Sequence, residues 1–150
     1  MLQYMVEQLN EHLSAYGTIL DVTLRSDQSL VEEAEVREVI LTFADEETEG
    51  KPLATIHLFE LEGSCEVEVE VQFTGREDGG SLWLQAQAVV PEVAMTEKRR
   101  YVQPGQSAQS EVVLDYHFLA EQPQSEEEAQ TLTRTLERFA ADLGKLVRLS

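Results

Sequence analysis

Nine consecutive residues, Cys65-Glu66-Val67-Glu68-Val69-Glu70-Val71-Gln72-Phe73, alternate apolar and polar without a break. In a β-strand successive side chains point to opposite faces. One face of this strand is therefore Cys, three Val and Phe, and the other is three Glu and Gln. A helix would scatter both sets around its axis, so the segment is restricted to a half-buried strand. The apolar face needs a covering layer. The acidic face does not.

The rest of the chain supplies the matching pieces. Leu2, Met5, Val6, Leu9, Leu13 and Tyr16 recur at three- and four-residue spacing, which predicts a helix over 2–16 stopped by Gly17. Strands are expected at 18–25, 35–44, 53–61 and 65–74, with turns at 26–29, 45–50 and 63–64. Asp78-Gly79-Gly80 reads as a hairpin turn into a fifth strand, where Leu82, Leu84, Ala86, Ala88 and Val90 alternate up to Pro91. Residues 92–101 suggest a short helix, Pro104-Gly105 a turn, and 111–120 a sixth strand. Ser125 with Glu128 forms a capping box for a last helix running to about Val147, striped by Leu132, Leu136, Phe139, Ala140, Leu143 and Val147. Short connections demand antiparallel pairing. The expected fold is a single α+β domain spanning residues 1–150. It has an N-terminal helix, about six antiparallel strands and a long C-terminal helix packed on one face of the sheet.

Charge narrows the function classes. The net charge is −18, and residues 26–70 hold 14 acidic residues against 2 basic ones. Binding a phosphate backbone needs many Lys and Arg, so no nucleic-acid ligand is expected, and an anionic membrane surface is disfavoured on the same ground. The one dense basic cluster is Lys98-Arg99-Arg100. A protein partner with a basic surface is favoured, through electrostatic steering. No basic n-region, long apolar span or second cysteine to pair with Cys65 is present, so a cytoplasmic location is expected.

Chemistry-bearing motifs are lacking. There is no Gly-x-Ser-x-Gly, phosphate-cradling loop, Cys-x-x-Cys or dinucleotide fingerprint, and no cofactor is implied. Glu66, Glu68 and Glu70 stand on the solvated side of their strand, where no burial raises a carboxyl toward acid catalysis. His12, His57 and His117 form no close pair in sequence; His57 and His117 can meet near Glu60 or Asp115, but a metal centre wants three or four converging ligands. No catalytic or metal residue is assigned. Trp83 falls on the polar side of the expected fifth strand, beside Gln85 and Gln87. There it is either covered by 91–110 or part of a binding patch.

In size, acidity and helix–sheet–helix layout the chain resembles the small acidic type III secretion chaperones of bacteria. That family carries a helix between its third and fourth strands and dimerises through it; the hairpin read over Cys65–Val90 stands in its place here. The resemblance rests on layout and carries over no functional residue. The leading expectation is a non-enzymatic chaperone, adaptor or regulator. Its partner surface is sought at Trp83, Glu66, Glu68 and Glu70. A second candidate surface is the last helix through Leu136, Phe139 and Leu143, which would otherwise pack on its own sheet or join a second copy. Three alternatives stand beside it: a helix-grip or cystatin-like domain enclosing a small apolar ligand near Phe73, Leu84 and Phe139, an acidic inhibitor that mimics nucleic acid, and a phage or secretion structural subunit.

Overall fold

The computed structural model describes residues 1–27, 35–45, 52–74, 79–100, 105 and 109–149. The turns read at 26–29 and 45–50, and Asp78, Tyr101 and Pro104, fall wholly or partly outside them. The element order is α1 (Leu2–Leu13), β1 (Thr18–Asp27), β2 (Glu35–Ala44), β3 (Leu53–Leu61), β4 (Ser64–Thr74), α2 (Gly79–Val89), β5 (Ala94–Arg100), β6 (Gln109–Glu121) and α3 (Glu126–Leu146). One six-stranded antiparallel sheet runs β1-β2-β3-β4-β6-β5, with β1 and β5 at its edges.

The alternation of β4 is realised as expected. Cys65, Val67, Val69, Val71 and Phe73 are buried, while Glu68 and Glu70 are exposed and Glu66 is half-buried. Val39, Leu41 and Phe43 of β2, Ala54, Ile56 and Leu58 of β3, and Val112 and Leu114 of β6 share that inner face. The apolar stripes of α1 (Met5, Leu9, Leu13) and α3 (Leu132, Leu136, Phe139, Leu143) close over it into one core. α3 is capped as its sequence specifies: Ser125 Oγ accepts the Glu128 N–H at 3.2 Å, and Glu128 Oε2 accepts the Gln124 N–H at 2.6 Å.

Two glycines mark close approaches. A Cβ at Gly144 would lie 2.8 Å from the Tyr16 ring, and one at Gly17 would collide with the Ala44 carbonyl. α1 ends at Leu13, short of the Tyr16 expected from the stripe, and Gly17 lets the chain then fold tightly onto β2, while Tyr16 sits against α3. Arg148 fastens the same corner. Its Nε donates to Asp45 Oδ2 at 3.1 Å, and its guanidinium donates to the Tyr16 carbonyl at 3.4 Å.

Two expected elements exchange identities. Residues 79–89 are a helix, not the second arm of a hairpin, and 94–100 are a strand, not a short helix. Alternation in 82–90 is real, but Gly79, Leu82, Ala86 and Val90 also recur at helical spacing, and these are the buried ones. Leu, Gln and Ala are strong helix formers and none of them is a favoured strand residue, so propensity decides between the two periods. The charged Lys98-Arg99-Arg100 run belongs to an edge strand, where charge discourages unwanted pairing. A chain with one helix between β4 and β5 thus keeps the six-stranded count.

Candidate functional site

Among the described residues no helix covers the outer face of the sheet, and its side chains form rows across the strands. Register places Phe59, Glu66 and Leu119 side by side, then His57, Glu68 and His117, then Thr55, Glu70 and Asp115. Glu68 thus lies between two histidines. His57 Nδ1 is 3.3 Å from Glu38 Oε1, and its ring stacks on Phe59 with centroids 6.1 Å apart. Among the described residues no group of three His, Cys, Asp or Glu side chains is placed to hold a metal ion. Glu66, Glu68 and Glu70 make no ion pair there either; the Lys98–Arg100 run is registered against Gln109–Glu111, far along β6 from them. Glu70 and Asp115 are directly opposite, an arrangement that costs stability in a sheet. Apolar Phe59, Leu61 and Leu119 are interspersed with the acids, with Leu61 and Leu119 about half exposed.

A concave site lies beside this face. β6 is longer than its outer neighbour, because β5 pairs only with Gln109–Asp115. The chain leaving α2 turns at Val90–Val93, where the Val93 N–H donates to the Val90 carbonyl at 3.1 Å, and enters β5 too late to reach further. Tyr116–Glu121 are therefore paired to β4 on one side and to no described strand on the other. The Gln122 N–H donates to the Gly63 carbonyl at 3.0 Å, on the β4 side. Backbone groups of a strand alternate in direction, so His117, Leu119 and Glu121 aim their N–H and C=O groups outward.

α3 runs beside that free edge and makes it a groove. A cleft of about 650 Å³ lies between Leu119–Pro123 and α3 residues Glu127, Glu128, Thr131 and Leu132. A second, of about 350 Å³, lies between Tyr116–Phe118, the Val89–Glu92 turn and α3 residues Arg138, Phe139 and Asp142. Thr135 lines both, so the two clefts lie next to each other along α3. Its wall is aromatic: Phe118 and Tyr116 pack on Phe139 with centroids 5.3 and 6.1 Å away. The Tyr116 hydroxyl is buried without a partner among the described residues. Burial, and then the negative charge of Asp142, push its pKa far up. The rim carries Glu92, Glu121, Glu127, Glu128 and Asp142 against Arg138, whose Nε is 3.9 Å from Asp142 Oδ2.

The residues expected to form a partner surface are dispersed. Leu136 and Leu143 are fully buried and Phe139 is 5% exposed, so the last helix spends its stripe on its own sheet and offers no free apolar face there. Trp83 rides on α2, half-buried against the core, with its indole N–H buried and unpartnered among the described residues. It stands on a helix, not on an outward strand position. Phe73 is core while Leu84 of α2 is exposed, so these two do not wall a common pocket with Phe139. Glu66, Glu68 and Glu70 do share one face, as expected. The free edge of β6 escaped the sequence reading. Its signal is a thirteen-residue strand beside a seven-residue one, which is legible only once 94–100 is known to be β5.

The chain matches no protein-family model, and no curated protein is recognisably similar to it in sequence. Among the described residues no helix is long and apolar enough to cross a membrane.

Proposed function

We propose that this protein is a non-enzymatic binding module that captures an extended, basic segment of another protein as an added strand on β6. The observation that carries this reading is the six-residue free edge Tyr116–Glu121, lying in an open groove against α3. Strand addition takes its affinity from main-chain hydrogen bonds and its specificity from pockets for alternate side chains. His117, Leu119 and Glu121 supply the outward backbone groups, and the two clefts receive side chains from one face of the incoming strand. The acidic rim and the neighbouring Glu66, Glu68 and Glu70 row select Lys and Arg and steer their approach. An acidic chaperone or adaptor role agrees with this arrangement. So does the helix–sheet–helix layout resembling secretion chaperones, although α2 lies between β4 and β5 and not between the third and fourth strands.

Selection of a displayed library of random twelve-residue peptides tests it. Enriched sequences are expected to alternate basic and apolar residues and to shift the amide signals of 116–121. Leu119→Pro removes an outward N–H and no β4 ladder bond, so it should leave the fold intact and abolish binding. Failure to enrich any basic sequence, or undiminished binding by a folded Leu119→Pro protein, refutes the reading. Selection of acidic or purely apolar peptides would instead point to a different occupant of the groove.

A further inference from the structure

The opposite edge of the sheet has a different chemistry. β1 pairs with β2 on one side and with no described strand on the other. Every residue from Leu20 to Arg25 is exposed, including Leu20, Val22 and Leu24 at 56%, 48% and 62%. Such an edge invites pairing unless something blocks it. Here the block is small and local. The Val22 N–H donates to the carboxylate of its own neighbour, Asp21 Oδ1, at 3.0 Å. That bond shows which way the strand faces: the Val22 N–H points away from β2, and by alternation the backbone of Leu24 does too. Asp21, Thr23 and Arg25 turn their backbone groups toward β2, and their side chains lie on the outer face of the sheet, where Arg25 is 3.9 Å from Glu38.

An antiparallel strand laid on this edge must place outward residues opposite outward residues. If that strand is β1 of a second copy, three central registers satisfy the condition. One puts Val22 opposite Val22 and Asp21 opposite Thr23. One puts Leu24 opposite Leu24 and Asp21 opposite Asp27, a like-charge pair. The remaining register centres the two-fold axis on Thr23. It sets Val22 opposite Leu24 of the second copy, and Asp21 opposite Arg25 of the second copy, twice by symmetry. Only this register is charge-complementary. Val22 and Leu24 then exchange backbone hydrogen bonds in two symmetric pairs, and the four apolar side chains cluster on one face.

We propose that β1 is a self-association edge. Two copies pair antiparallel about Thr23, joining their sheets, with Asp21 leaving the Val22 N–H to meet Arg25 of the second copy. Asp21 and Arg25 cancel within the contacting stretch. The remaining acid acts across more than the screening length of about 8 Å at physiological salt wherever it lies on distant strands. The proposal does not depend on the β6 groove, which stays open at the other edge of each sheet.

Sedimentation equilibrium of the full chain at 0.15 M salt, from micromolar to several hundred micromolar, tests it. The wild type is expected to dimerise. Asp21→Arg and Arg25→Asp should each weaken association at least tenfold with unchanged circular dichroism. The double variant D21R/R25D, which restores opposite charges in the same register, should recover most of the loss. Thr23→Cys should cross-link copies under mild oxidation, because residues facing each other at a non-hydrogen-bonded position sit about 4.5 Å apart at Cα, within disulfide range. Cys65, fully buried, does not compete. A monomeric wild type at the highest concentration overturns the proposal. So do single reversals that dimerise like the wild type, or a double variant that stays monomeric.

Discussion

Val69 offers the sharpest check of the two-faced sheet. It is fully buried, between Ile56 on β3 and Tyr116 on β6, while Glu68 one residue earlier is exposed between His57 and His117. Val69→Ala deletes the equivalent of two methylene groups, worth about 1.6 kcal/mol in transfer free energy. The void lies among core side chains, with Ile56 and Tyr116 beside it on the same face, and collapses only in part, adding about 1 kcal/mol. The expected loss is about 2–3 kcal/mol. Urea unfolding followed by circular dichroism reads this as a midpoint lower by about 1 M, for a slope near 2 kcal/mol per molar. Glu68→Ala should move the midpoint by less than about 0.3 M, since a surface change away from special contacts costs under ~0.5 kcal/mol. Equal shifts for the two variants would mean that both faces of β4 are buried, and the assignment of an outer acidic face would be wrong.

Other residues give independent checks. Arg148→Ala withdraws the guanidinium from the carboxylate of Asp45, which is 2% exposed, and should cost about 2 kcal/mol in a thermal melt; adding Asp45→Asn should recover part of it. Burial, then Glu60, push the Cys65 thiol up to about 11 from an ordinary value of 9.0. The folded state thus holds a proton that the unfolded chain releases, so stability is whole below pH 9 and declines from pH 9 to 11. Replacing Cys65 by Val should lessen the slope across that window, most clearly between pH 9 and 10, below the ordinary value of 10.0 from which Tyr116, also pushed up by burial, adds its own decline; an unchanged slope there would remove the thiol as its source. Glu70→Gln relieves the charge facing Asp115 and should stabilise by about 0.2–1 kcal/mol at low salt, the gain shrinking as salt rises. A loss of stability in that variant would show that Glu70 is held by an attractive contact.

What was readable in the sequence follows from how many signals agreed at each place. In β4 the period, the β-branched residues and the flanking turns all point one way, and the strand and both its faces are as expected. In α3 the capping residues and the stripe agree in the same manner. Between 79 and 100 they conflict. Period two in 82–90 competes with helix-forming Leu, Gln and Ala, and burial of Gly79, Leu82 and Ala86 shows which prevailed. The strand at 94–100 has almost no apolar side to announce it, because an edge strand draws its order from β6's backbone rather than from its own side chains. Sites suffered accordingly. The Glu66, Glu68 and Glu70 face was legible, since it depends on one strand alone. The groove was not, since it depends on where β5 stops relative to β6, a fact about two chain segments meeting. Leu136, Phe139 and Leu143 were open to either use from sequence, and only the presence of the sheet beneath them decides for the core.

The corner where Arg148 meets Asp45 and Tyr16 carries a kinetic consequence. The inner face of the sheet is closed by α1 and α3, one before and one after all the strands in sequence, and the clasp that joins them to β2 is made by Arg148. A chain emerging in order from a ribosome completes β4 and displays Val67, Val69 and Val71 long before Leu136 or Arg148 exists to cover them. Most strand pairings are local, but the closing contacts of Arg148 span 103 and 132 residues. Topologies of that kind fold in milliseconds to seconds rather than microseconds. For that interval the nascent protein is itself a client for any factor that shields apolar strands. Versions cut short before Ser125 are expected to stay in that condition and to bind an apolar dye.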